Sequence, residues 1–226
     1  MVGITIHFFV TSYIIASATA AYVCEPETCD PGTKHTLCLY DGGLGEACHG
    51  AYSNVLSAEQ QQALLNAHND YRALVASGGE ERGLTGPQPA GEIPPLQWDD
   101  ELAMIAQVYI NQCINGHSAC DDVERFKVNQ NIAFMSKSDK YVEDITEMLD
   151  QWTAEAANYD GNYIDNMQEE TNGKIYHWTQ LVWADTQYVG CGVFNWQEDN
   201  GWYSTRLICE YGPAGNYPGL PIYPTN

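Results

Sequence analysis

Apolar residues recur at helical spacing in several stretches of this chain and alternate with polar ones in others. Ser57-Ala58-Glu59-Gln60 has the form of a capping box, and Leu64, His68, Tyr71 and Val75 follow at steps of four, three and four. That pattern predicts a helix running to Gly78-Gly79. Eight Gly and Pro residues between 79 and 95 then predict a loop. Asp99 reads as the cap of a second helix whose buried face is Leu102, Ile105, Ala106, Tyr109 and Cys113. A third helix is expected from Asp139 to Asn158, with Val142, Ile145, Met148, Leu149 and Trp152 turned inward. Val128–Met135, Tyr188–Trp196 and Trp202–Glu210 read as strands, the last two joined through Asp199-Asn200-Gly201. Helices on both faces of an antiparallel sheet predict an α+β fold, a three-layer α/β/α sandwich.

The ends of the chain follow other rules. Ile4 to Ala21 is largely apolar and carries no charged side chain, and Ala18-Thr19-Ala20 supplies a small-residue cleavage site. Residues 1–20 are therefore expected to be a signal peptide, followed by a cysteine-rich extension over 21–56 and one main domain over 57–226. The extension shows little periodicity and is expected to hold neither helix nor sheet. No other stretch is long and apolar enough to span a bilayer. A secreted, extracellular location follows, and the eight cysteines then imply a disulfide framework. Their order alone leaves on the order of a hundred pairings open. Thirty acidic residues against nine basic ones leave a formal charge of −21. Nucleic acid and anionic membrane surfaces are poor partners for such a chain.

The segment Tyr176-His177-Trp178-Thr179-Gln180-Leu181-Val182-Trp183 places a histidine at the start of a short helix with much apolar bulk behind it. It resembles the signature of the CAP superfamily of cysteine-rich secretory proteins, antigen-five venom allergens and plant pathogenesis-related proteins. Leu207-Ile208-Cys209-Glu210-Tyr211-Gly212-Pro213-Ala214-Gly215-Asn216-Tyr217 resembles the family's second signature. His68-Asn69-Asp70-Tyr71-Arg72 is similar to its first-helix pattern, and Asn129-Gln130-Asn131-Ile132-Ala133 to its central strand. Gly86-Pro87-Gln88-Pro89 and the cysteine-rich extension resemble the arthropod antigen-five branch. The resemblance implies the CAP fold, and it implies the pairing Cys24–Cys38, Cys29–Cys120, Cys48–Cys113 and Cys191–Cys209.

It also implies a central cleft carrying two histidines and two acidic groups. His177 and His117 match the histidines, and Glu155 matches the glutamate of the third helix. At the second acidic position this chain has Gln130, a neutral and weaker ligand. His117, Glu155 and His177 are thus the expected metal set, with Gln130, Asn131 and Trp178 lining the cleft. Two imidazoles and one carboxylate suit zinc or a similar ion. Weak, opportunistic zinc binding is the expectation, with no other cofactor. The competing reading is a hydrogen-bonded polar cluster without metal. A carboxylate at position 130 would add a charged ligand and a base, and its absence argues against hydrolysis. No Gly-x-Ser-x-Gly elbow is present, so no catalytic residue is assigned. His68 reads as a satisfied core histidine, and Arg72 as one half of a structural ion pair. Tyr176, Trp178, Trp183 and Phe134 are candidates for an apolar groove. The expected function is binding, with a host protein or a lipid or sterol as partner. A sterol or fatty-acid carrier and a metal-dependent hydrolase are the alternatives.

Overall fold

The computed structural model describes Cys24 and residues 28–49, 51–53, 55–169 and 173–226. The expected signal peptide lies outside the described residues. The extension is more ordered than its composition suggests. His35 caps α1 (Thr36–Leu39) by accepting the Leu37 N–H at Nδ1, 3.0 Å away. β1 (Ala51–Ser53) then joins the main sheet. Local periodicity misses both elements, because disulfides and sheet pairing hold them. The four disulfides are Cys24–Cys38, Cys29–Cys120, Cys48–Cys113 and Cys191–Cys209. Two of them tie the extension to the main domain.

α2 (Ala58–Ala76) opens with the full capping box: Ser57 Oγ accepts from the Gln60 N–H, and the Gln60 side chain accepts from the Ser57 N–H. The two-residue strand β2 (Gln97–Trp98) leads into α3 (Asp100–Ile110), which Asp99 caps. β3 (Asn129–Lys137) follows. The expected third helix is shorter and tighter. It starts only after Asp144, whose carboxylate accepts the Thr146 N–H, and it runs as a 3-10 turn (Ile145–Leu149), α4 (Asp150–Thr153) and a second 3-10 turn (Ala154–Asn158). An aspartate cap competes for the backbone where an unbroken helix needs its N–H groups. The inward residues are those expected, with Met148 and Trp152 at 1% exposure or less. α5 (Tyr176–Leu181) precedes the hairpin of β4 (Tyr188–Gln197) and β5 (Tyr203–Gly212).

The sheet order is β1-β4-β5-β3, antiparallel throughout, with β2 added parallel to β4. One face packs on α2, α4 and α5 through Val189, Cys191, Val193, Leu207, Cys209 and Tyr211. α3 covers the other face. Its approach is so close that a Cβ at Gly190 would lie 2.1 Å from the Ala103 nitrogen, and one at Gly192 would lie 2.6 Å from the Gln107 nitrogen. Only glycine fits at those two positions. The result is the expected three-layer sandwich, with β3 as an edge strand.

Candidate metal-binding cleft

The edge of β3 is where the candidate residues meet. Successive strand residues point to opposite faces. Gln130 therefore reaches toward the α3 side and Asn131 toward the α5 side. Asn131 Nδ2 donates to the carbonyl of His177 at 3.0 Å, which fixes the start of α5 beside the strand. His117, His177, Gln130 and Asn131 all line one cleft of about 810 Å³, joined by Tyr176, Asn216 and Tyr217.

Each histidine is held by one ring nitrogen. His177 Nδ1 lies 2.6 Å from Glu155 Oε1. Glu155 Oε2 accepts the backbone N–H of His177 at 3.0 Å and that of Trp178 at 3.3 Å. The carboxylate thus caps α5 and orients its histidine at the same time, and the Trp152 ring stacks on the imidazole at 6.3 Å. His117 Nδ1 lies 2.8 Å from Gln130 Oε1. The Gln130 amide donates to Glu210 Oε1 at 2.7 Å and to Asp121 Oδ2 at 3.3 Å. Its carbonyl must therefore accept from His117. With those partners a neutral ring carries its proton at Nδ1, and among the described residues Nε2 of neither ring makes a hydrogen bond. Second-shell anchoring of this kind prepares an imidazole for coordination.

The expected three-ligand set is not assembled. Among the described residues, no three of His, Cys, Asp and Glu converge on a point suited to an ion. Glu155 is committed to α5 and does not line the cleft. Trp178 is also not a cleft residue. Its ring has no exposure and its Nε1 donates to Tyr71 Oη inside the core at 2.8 Å. Trp183 is buried in the same core cluster, and Phe134 lies away from the cleft on β3, against Trp196. Tyr176 is the one aromatic of the expected groove that reaches it.

Two further expectations are settled nearby. His68 is a core histidine. Its ring lies 2.7 Å from the Leu64 carbonyl and 2.8 Å from Tyr211 Oη, and burial pushes its pKa down to about 4. Arg72 makes no ion pair among the described residues. Fully buried, it donates to the carbonyls of Pro94 (2.8 Å), Leu181 (2.9 Å), Trp183 (3.0 Å) and Thr186 (3.3 Å). It therefore ties down the far end of α5, opposite His177.

Glu210 and Asp121 are functional neighbours that the pattern did not single out. Glu210 is fully buried on β5, and burial followed by the charge of Asp121 raises its pKa well above the usual carboxylate range. Ser118 Oγ donates to Asp121 Oδ2. The available signal was a glutamate on a strand otherwise apolar on both faces, from Leu207 to Tyr211.

The comparisons with known proteins converge on one family. The model of the cysteine-rich secretory protein (CAP) family matches residues 65–211. The chain belongs to the CAP family. Venom allergen 3 of Solenopsis invicta is 41% identical over 219 residues, covering 95% of this chain and 94% of that protein. Venom allergen 5 of Microctonus hyperodae is 40% identical over 222 residues, with the same coverages of 95% and 94%. Among solved CAP-like structures, that of NaASP2 with Zn2+ aligns with a TM-score of 0.65 at 27% identity, covering 78% of this chain and 91% of that one. That of BmVAL-1 aligns at 0.63 and 28%, covering 76% and 84%. The CAP domain, the venom-allergen relatives and the four disulfides all fit an extracellular protein. Among the described residues no helix is long and apolar enough to cross a membrane.

Proposed function

We propose that this is a secreted protein of the antigen-five type that acts by binding, and that its cleft takes a divalent transition ion weakly through His117 and His177. The observation that carries the reading is the anchoring of both rings at Nδ1 in one cleft, with no hydrogen bond at either Nε2 among the described residues. The relative NaASP2, crystallised with Zn2+, adds support. A bound ion would supply a positive contact point for an anionic or carbonyl group. The rest is the work of the chain. Glu155 holds His177, Gln130 holds His117, and Tyr176 and Tyr217, 38% and 44% exposed, give the mouth apolar surface for a protein partner. Two protein ligands are fewer than catalytic zinc sites use, which sets the affinity low. Neither Gln130 nor the committed Glu155 is placed as a base, so binding is favoured over hydrolysis.

Calorimetric titration with zinc tests this. The protein should bind one ion, with affinity falling in acid as the imidazoles protonate. His117→Ala and His177→Ala should each weaken binding strongly. An unchanged isotherm in the double variant would sink the site.

A further inference from the structure

A second recess lies on the α3 face of the sheet, beyond the end of that helix. Its volume is about 540 Å³, within the range of small-molecule sites. Ile110 and Phe194 form a buried apolar floor, at 1% and 2% exposure. The Trp196 ring lies 5.8 Å from that of Phe194, tilted by 40°. The extension contributes a wall through His49, which places this recess between two parts of the chain joined by Cys48–Cys113.

The polar group over this floor is Arg206 of β5. Its guanidinium carbon lies 5.9 Å from the Trp196 ring centroid. Nη1 donates to the Ile114 carbonyl at 2.8 Å and Nη2 to Asn115 Oδ1 at 2.7 Å. Both partners are neutral. The chain has four arginines. Arg82 and Arg125 pair with carboxylates, and Arg72 is wrapped by carbonyls. Arg206 is half-buried and faces a cavity, and among the described residues no carboxylate lies within ion-pair distance of it. Two acidic residues of the hairpin turn also line the recess: Glu198, whose Oε1 accepts from Ser204 and Oε2 from Asn200, and the exposed Asp199; neither forms an ion pair with Arg206. Desolvation lowers the Arg206 pKa, a cost that a bound anion would offset. The remaining N–H groups of the guanidinium fork match a planar carboxylate.

We propose that this recess binds a planar aromatic carboxylate, its ring against Trp196 over the apolar floor and its carboxylate on Arg206. One cation suits a singly charged acid better than a phosphate. The aromatic floor favours a flat ring over a branched aliphatic body. The site is separate from the histidine cleft and does not depend on metal.

The probe is indole-3-acetate, compared by calorimetry with its neutral amide and with tryptamine, its cationic counterpart, on the full chain. The acid should bind at least about tenfold more tightly than the amide, the lower end for a charge-assisted hydrogen bond. Tryptamine should bind more weakly than either. Arg206→Gln should erase the preference for the acid, while Trp196→Leu should weaken acid and amide together. If Arg206→Gln does not fold, Arg206→Lys keeps the charge without the fork and should show an intermediate preference. Equal affinity for acid and amide, tightest binding of tryptamine, an acid preference that survives loss of the guanidinium, or no binding of the acid at millimolar concentration would each overturn the assignment.

Discussion

Replacing Arg72 by methionine should destabilise the protein through four carbonyls at once. The guanidinium now serves Leu181, Trp183 and Thr186 through buried bonds, and Pro94, an exposed residue, through a half-buried one. Methionine fills similar volume but donates nothing. The Trp183 carbonyl keeps the Thr186 N–H at 3.3 Å; each buried carbonyl that is left unpaired costs about 1–3 kcal/mol. Part of this returns, because the variant no longer desolvates a charge. The net loss should be about 3–5 kcal/mol, the cost of the orphaned carbonyls less the desolvation recovered. For a chain of this size that corresponds to a drop in Tm of roughly 6–20 °C. Arg72→Lys should fall in between, since an ammonium keeps the charge but cannot span four acceptors with a planar fork. The assay is guanidinium unfolding followed by tryptophan fluorescence with the disulfides intact. A loss below about 1 kcal/mol for Arg72→Met would refute the reasoning, since it would mean the carbonyls find other donors. A secondary effect is expected on zinc affinity, because Leu181 and Trp183 end the helix that carries His177.

Glu210→Gln should raise stability at neutral and alkaline pH. Burial, then the charge of Asp121, raises the pKa of the native carboxyl above its unfolded value, so stability falls as pH rises through that interval. The slope it contributes is about 1.4 kcal/mol per pH unit, and the variant, compared with the parent across pH, should lack it. Gln130→Glu should destabilise by about 1–3 kcal/mol, because it removes the amide donors to Glu210 and Asp121 and sets like charges together. Chemical denaturation at neutral pH checks this, and a gain in zinc affinity from the same variant would contradict the placement of that side chain. Cys191→Ala with Cys209→Ala should cost about 2–4 kcal/mol by freeing a loop closed across β4 and β5, as read from the unfolding midpoint.

Much of this fold is legible in the sequence because its signals are local. Ser57 with Gln60, and Asp99, mark two helix starts through their own side chains. The hairpin is marked by its apolar strands and the turn at Asn200-Gly201. What failed was tertiary. Trp178 follows His177 on a short helix and so points about 100° away from it; both cannot face one cleft. Glu155 lies three residues after Trp152 and is itself buried. Whether it coordinates an ion or caps a helix depends on α5, which lies about twenty residues further on in the chain. An arginine on a helix suggests an acidic partner, and only the assembled core shows that loop carbonyls take its place. The strand β1 and the helix α1 belong to a segment whose order comes from disulfides and a neighbouring strand, and neither leaves a periodic trace.

The central claim is that His117 and His177, each anchored at Nδ1, present Nε2 to a shared ion. Anomalous diffraction at the zinc edge, from crystals of the intact protein soaked in zinc, tests it most directly. The account predicts one anomalous peak in the cleft, at about 2.0–2.1 Å from Nε2 of both histidines, with Glu155 still bonded to His177 Nδ1. A cleft with no peak in crystals that bind zinc elsewhere, or a peak bonded to Glu155 with His177 turned away, would contradict it.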